Sequence, residues 1–456
     1  MTLFLSSVFW LAIALAVPIL LWAFVLPFFS GSLWVALRIS PLTVLLAGPM
    51  LQPFSDNWDV GGVLVDPLDV VLVTLVGVLM LRKRRYARAR IPYLRLWLAL
   101  GLWTSFAYVC SPINEAYLTD PVRLLYQLYR YCWKPILYYP LTAFLVTDRK
   151  GFMRVMFVAV AVADVFAIQA TIDGYMGLRA SGPFGHGSNA LGSALALPLL
   201  IAVARFSETT QRERWFYGLS CLLILRGLIF TGSRGAMIGA ICGGALLFFG
   251  LRRTMWGRTH MKRAAQALAV AFVLVAVVRG NPLDRPSLQR FVASDANGES
   301  SQTFNWRLHE RWPHFWKKVE QSPWVGVGTD SDLVFGKVGN TPHNGYLSIA
   351  VTSGIPALCL FLALALACIA SGWHAFRRTP RGWQGATGLT AAAGIVCVLI
   401  HNLVDTTVTL AFVAQIFWML AATAARMGRE ATKVKVAVEP KPVPAPPVPL
   451  RSVRNA

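Results

Sequence analysis

Apolar runs of about 18 residues or more recur along this chain, with short polar segments between them. The stretch "NTPHNGYLSIAVTSGIPALCLFLALAL" (340–366) shows the type: it begins polar, turns almost wholly apolar, and carries His343 and Asn344 at the change. Over 456 residues the chain is 56% hydrophobic and 14% charged, where a soluble domain carries roughly a quarter charged residues. Mean hydropathy is +0.54. These features describe an all-α integral membrane protein, a polytopic bundle.

Spans are expected at roughly 4–27, 33–51, 64–81, 93–110, 128–146, 151–172, 189–205, 215–231, 235–251, 264–279, 344–371, 385–402 and 405–426. The first two runs read as two spans or as one span plus a re-entrant piece, so the total is 12 or 13. The N-terminus has no basic n-region, and it reads as a retained first span. From residue 82 onward the connections alternate. Basic ones are "RKRRYARAR" (82–90), "TDRKGFMR" (147–154), 205–214, 252–263, "GWHAFRRTPRGW" (372–383) and the tail after Arg426. Positively charged connections stay in the cytoplasm, so the C-terminus is expected there. The same rule puts "DGYMGLRASGPFGHGSN" (173–189), "TGSRG" (231–235), the loop 280–342 and "HNLVD" (401–405) outside.

The expected organisation is a polytopic transmembrane domain over 1–435, the large outward loop 280–342 within it, and a disordered Pro-rich cytoplasmic tail over 436–456. Within the loop, Leu308, Trp312, Phe315 and Val319 fall at helical spacing, flanked by Arg307, Arg311 and Lys318. That pattern predicts an amphipathic helix at the membrane surface, kinked at Pro313.

Net charge is +22. The basic residues lie in short clusters between apolar runs, as topology determinants with possible help from anionic membrane lipid, so no nucleic-acid partner is expected. The seven cysteines lie in or beside apolar segments without metal-ligand spacing, which leaves a disulfide or zinc framework unsupported.

Four groups of residues have side chains suited to chemistry at the outward ends of spans. Arg234, in "FTGSRGAMIGA", stands between small residues that permit a tight bend; it reads either as a snorkelling cation or as an anion ligand. Arg307 and Arg311, one helical turn apart, read either as flanks of an interfacial helix or as a fork for a diphosphate, since guanidinium binds phosphate bidentately. Arg179 and His186 share a Gly/Pro/Ser loop before a span. His343, fixed by Pro342 and followed by Asn344, which can orient or cap, is the candidate base. Histidine titrates near about pH 6.5 and suits deprotonation of a hydroxyl. Two weaker features are "DSD" (330–332), a loop cap by default and a metal-binding Asp-x-Asp as the alternative, and His401, Asn402 and Asp405. For these three, helix packing is the default and lining of the same cavity the alternative.

Together, "GLRASGPFGHGSNALG", "TGSRGAMIGA", "NWRLHERWPHFWKKVEQSPWVGVG" and "PHNGYLSIAVTSGIPA" resemble the O-antigen ligase/polymerase family of bacterial inner membranes. The ligase pattern is a His-Asn pair, nine residues, then Gly-x-x-(Gly/Thr/Tyr). His343-Asn344 and Gly354 match it, and Ala357 departs from it. Ser188 also stands where a proline is expected before Asn189.

The resemblance covers roughly residues 170–375. It implies a membrane-embedded, GT-C-like, inverting and metal-independent glycosyltransferase with no cofactor. Its donor would be an undecaprenyl-diphosphate-linked glycan and its acceptor a lipid A-core or glycan hydroxyl on the periplasmic face. It carries functional roles to Arg234, Arg307 and His343, with Arg311 an alternative to Arg307. A ligase is expected first and a polymerase of the same family second. A lipid-linked sugar flippase comes third, because no internal repeat is visible and the ionisable residues concentrate at span ends.

Overall fold

The structure, a computed structural model, describes residues 90–111, 121–176, 187–209, 211–252, 305–328, 342–380, 382–409 and 411–438, with residue 180 and scattered positions between 41 and 76. The expected spans 4–27 and 264–279, most of the loop 280–342 and nearly all of the tail lie outside these residues.

The described helices in chain order are α1 (Leu94–Cys110), α2 (Pro121–Gln127), α3 (Lys134–Leu145), α4 (Arg149–Tyr175), α5 (Ser188–Glu208), α6 (Gln211–Thr231) and α7 (Arg234–Arg252), then α8 (Trp312–Gln321), α9 (Gly345–Arg378), α10 (Trp383–His401) and α11 (Ala411–Val438). Six of them, α4, α5, α6, α7, α9 and α10, are long and apolar enough to cross a membrane. The chain is an all-α integral membrane protein. Its small exception is an antiparallel pair of three-residue strands, Trp58–Val60 with Val63–Val65, which pairs Trp58 with Val65.

Three expected boundaries need correction. The span drawn at 64–81 begins too early, because Val63–Val65 is a strand. The span drawn at 128–146 is divided: a π-helical segment, Leu128–Trp133, separates α2 from α3. At that junction the Lys134 ammonium sits 2.6 Å from the Asp69 carboxylate, an ion pair drawn inward from another element. The last span starts at Ala411 and not at 405, since residues 402–409 form a turn ending in a 3-10 helix, Thr407–Thr409. α11 also takes in the first three residues of the expected tail, ending at Val438.

α5 lies at the centre, against α4, α6, α7 and α10, and is the most enclosed candidate span, 83% buried against 33% for α9. α11 is enclosed in the same way, buried from Phe412 to Ala425 between α3, α9 and α10. Small residues set these approaches. A Cβ added at Gly239 or Gly243 of α7 would stand 2.5 or 2.6 Å from a backbone carbonyl of α10. Such contacts replace the hydrophobic drive that is missing between helices in lipid. α9 packs along α1, α10 and α11 and receives α8 near its start. That start is where the candidate residues gather.

Candidate functional site

The site is organised by the turn after α10, residues 401–409. Asn402 builds it: its side-chain oxygen accepts from Thr407 N–H (3.0 Å), Thr407 Oγ1–H (2.7 Å) and Val408 N–H (3.1 Å). Asn402 is fully buried, so these bonds satisfy an oxygen that water does not reach. The first residue of α9 is tied to the same turn, with Gly345 N–H donating to the carbonyls of Asn402 (2.8 Å) and Asp405 (3.1 Å). A side chain at position 345 would collide with Asn402, 2.6 Å from its Oδ1.

His343 stands two residues before that junction, in the left-handed region at φ 48. Its position is pinned from two sides. Trp312 of α8 donates its indole N–H to the Pro342 carbonyl at 3.1 Å, and His343 Nδ1 lies 3.1 Å from Asp405 Oδ1. Asn344, expected to orient or cap, caps: its Oδ1 accepts from Tyr346 and Leu347 N–H, both at 3.0 Å. The side chain that holds His343 is therefore Asp405.

Burial alone would raise the Asp405 carboxyl. The His343 hydrogen bond and charge, the Thr406 N–H (2.8 Å) and His401 together hold it below the usual carboxylate range. An ionised Asp405 accepts Nδ1–H, which leaves His343 Nε2 with its lone pair.

Arg307 and Arg311 come to the same turn from the other side. They were expected one α-helical turn apart. Arg307–Arg311 is instead a π turn, in which Trp312 N–H reaches the Arg307 carbonyl. Pro313 follows in the first turn of α8, where its missing N–H costs nothing, so the expected kink is replaced by a helix start. Arg307 donates from Nη1 to the Val404 carbonyl at 3.0 Å. Arg311 is only 4% exposed and lies over the Trp306 ring at 4.9 Å. Nε of both residues and Nη2 of Arg311 are buried without an acceptor among the described residues. Burial lowers both guanidinium pKa values, Arg307 lowers that of Arg311 further, and Asp405 opposes both effects. A guanidinium still stays charged, so two cations meet at this turn with donors that no described residue accepts.

Arg234 opens α7 with an exposed side chain, after Gly232 at φ 59. Its neighbour Gly235 is pressed against Val404 and His401; a Cβ there would sit 2.3 and 2.6 Å from their side chains. His401 shares a buried 2.7 Å hydrogen bond with Ser193 of α5. The Ser-Arg-Gly turn, the Arg307–Arg311 turn and the His343 corner thus converge on residues 401–405. Arg179, His186 and Asp330–Asp332 lie outside the described residues.

α8 does not spend its apolar face on lipid, as its spacing suggested. Phe315 and Val319 are buried against Leu347, Ala350 and Val351 of α9. The segment after α8 then enters a break in α9. Gly354 has φ 83, and a Cβ there would stand 1.9 Å from the Trp324 carbonyl. Val327 N–H donates to the Val351 carbonyl (2.7 Å) and Ile355 N–H to the Pro323 carbonyl (2.8 Å). Beyond the break, residues 355–378 alone rise about 36 Å, enough for a hydrocarbon core of about 30 Å. Beside the corner, an apolar groove of about 460 Å³ runs between the two helices, lined by Leu308, Trp312, Trp316, Tyr346, Leu347 and Leu358.

The family model described as O-antigen ligase matches residues 219–362, from α6 through the Ser-Arg-Gly turn, α8 and His343 into α9. The match supports membership of the O-antigen ligase/polymerase family over that region. No curated protein matches it. Members of that family are glycosyltransferase-like enzymes of membranes that act on lipid-linked glycans. Asp405 lies beyond the matched segment, 62 residues from its partner. Its trace in the sequence was an acid in a turn expected to face outward, poor in lysine and arginine and close after a histidine.

Proposed function

We propose that this protein is an O-antigen ligase: an inverting, metal-independent glycosyltransferase that moves a polysaccharide from undecaprenyl diphosphate to a lipid A-core hydroxyl. It works on the periplasmic face of the bacterial inner membrane, with its C-terminus in the cytoplasm. The observation that carries this reading is the Asp405-held His343 at the turn that also receives half-buried Arg307 and buried Arg311, whose donors are partly unmatched.

His343 Nε2 takes the proton of the acceptor hydroxyl as its oxygen attacks the anomeric carbon. The bond from that carbon to the diphosphate oxygen breaks on the opposite face, inverting the centre. The departing diphosphate keeps the electron pair. It is already a competent leaving group, and it needs charge stabilisation more than a proton. Arg311 and Arg307 supply that charge from a partly water-excluded position, with Arg234 and Arg179 as further phosphate ligands. The apolar groove along α8 and α9 suits the first isoprene units of the donor. Asp405 keeps the imidazole in the tautomer that accepts at Nε2 and stabilises the imidazolium once it forms.

Transfer by the purified protein from lipid-linked donor to lipid A-core acceptor tests this reading. Loss of glycan transfer in His343→Ala is the expected result, and undiminished transfer would remove His343 from the chemistry. One residue favours the second reading, a polymerase extending a lipid-linked O-antigen or exopolysaccharide. Ala357 stands, fully buried, where the ligase pattern has Gly, Thr or Tyr. A deletion strain separates the two: long chains absent from lipid A indicate a ligase, and accumulated single repeats a polymerase.

A further inference from the structure

A second cavity opens at the other end of α9, about 45 Å from His343 at the rise of a helix. It has a volume of about 500 Å³ and lies between the residues leading into α1, the end of α9 and the end of α11. Its rim is polar. Tyr93 Oη and Ser371 Oγ share a 2.6 Å hydrogen bond across it. His374 lines it from α9, and Arg429 lines it from α11 while donating from Nη1 to the Arg90 carbonyl at 2.9 Å.

Pro92, Ala370, Ala425 and Gly428 give it an apolar wall, with Thr432 beside them. The two helices touch at their backbones there, because a Cβ at Gly428 would stand 2.7 Å from the Ser371 carbonyl. Around the rim, Arg90, Arg377 and Arg378 are exposed. The acid nearest in sequence, Glu430, is engaged by Lys433 at 2.8 Å. The cavity therefore joins cationic and hydroxyl-bearing side chains to a small apolar wall at the end of a candidate membrane-spanning helix.

We propose that this cavity binds the headgroup of an anionic membrane phospholipid, with its phosphate on Arg429 and His374 and its glycerol end against Pro92, Ala370 and Ala425. Basic pockets between spanning helices are suited to such headgroups, since guanidinium meets phosphate with paired donors while the acyl chains stay in the bilayer. A free phosphate would gain nothing from the apolar wall. The proposal does not depend on the glycosyltransferase reading.

Native mass spectrometry of the full-length protein, titrated with phosphatidylglycerol or phosphatidylethanolamine, tests it. Phosphatidylglycerol is expected to bind at least about tenfold more tightly. The double variant Arg429→Gln, His374→Ala should abolish that preference, while Arg429→Lys retains most of it. Arg252→Gln, at the end of α7, should leave it unchanged. Equal binding of the two lipids overturns the proposal, as does a preference that survives the double variant. Displacement of phosphatidylglycerol by millimolar inorganic phosphate would overturn the choice of a lipid as occupant.

Discussion

The two ends of α9 handle polar groups in opposite ways. At the His343 end nearly every one is committed to another protein group: Asn344 to the helix, Gly345 to the turn, His343 to Asp405 and the Pro342 carbonyl to Trp312. Unmatched among the described residues there are Nε of Arg307 and Arg311, Nη2 of Arg311, Nδ2 of Asn402 and Oγ of Ser233. At the His374 end, small residues leave an open cavity, and its cation is anchored by a single backbone carbonyl. The proposed transfer chemistry needs reacting groups held to within fractions of an ångström, whereas the proposed lipid headgroup needs charge and room.

Changes at the His343 end should therefore cost far more than changes at the other. Gly354→Val should be the most damaging. It puts a β-branched residue at φ 83 and against the Trp324 carbonyl, a cost of about 3 kcal/mol or more. Thermal unfolding in detergent would register it as a large drop in Tm, with α8 detached and transfer lost. His343→Ala should lower transfer about 10²- to 10⁴-fold, with a smaller drop in Tm than Gly354→Val because Asp405 loses its partner; a loss of transfer below tenfold would mean that another group takes the proton.

Asp405→Asn should fall next, with about a 10²-fold loss of kcat. It also carries a pH signature. The folded-state carboxyl is held low, so its stabilisation is fully present above the unfolded value of about 3.9 and is lost as pH falls through the folded value. Wild-type Tm should drop over that acidic window, and the variant should lack this component. Asn344→Ala removes a helix cap worth about 1 kcal/mol, which a Tm shift of a few degrees would report without a comparable loss of transfer. Arg429→Gln should leave transfer unchanged; a loss as large as that of Asp405→Asn would show that the two ends are coupled.

The membrane class and most described spans were legible because hydropathy is a local property, written into each run of residues. So was His343, since a histidine between Pro342 and a capping Asn at the mouth of a helix is visible without knowing its neighbours. Asp405 was not, because its role comes from a contact across 62 positions, and an Asp in an outward turn looks the same with or without a histidine against it. The π turn at Arg307 was hidden for a similar reason. The choice of α or π hydrogen bonding there accompanies a guanidinium reaching the Val404 carbonyl, a feature of tertiary structure. The amphipathic face of α8 was read correctly as apolar and assigned the wrong partner. Periodicity reports that a face is covered, and α9 covers this one.

The junction at Gly354 joins α8 to the spanning part of α9 through main-chain atoms alone: two carbonyls and two amides, offered by residues 323, 327, 351 and 355. Such a joint is indifferent to most side chains around it. Outside the glycine, the residues that line the groove or face an acceptor can be exchanged while the corner that holds His343 keeps its shape. Under the proposed function, a lineage facing a new surface sugar re-tailors its recognition surface on a frame that it need not rebuild.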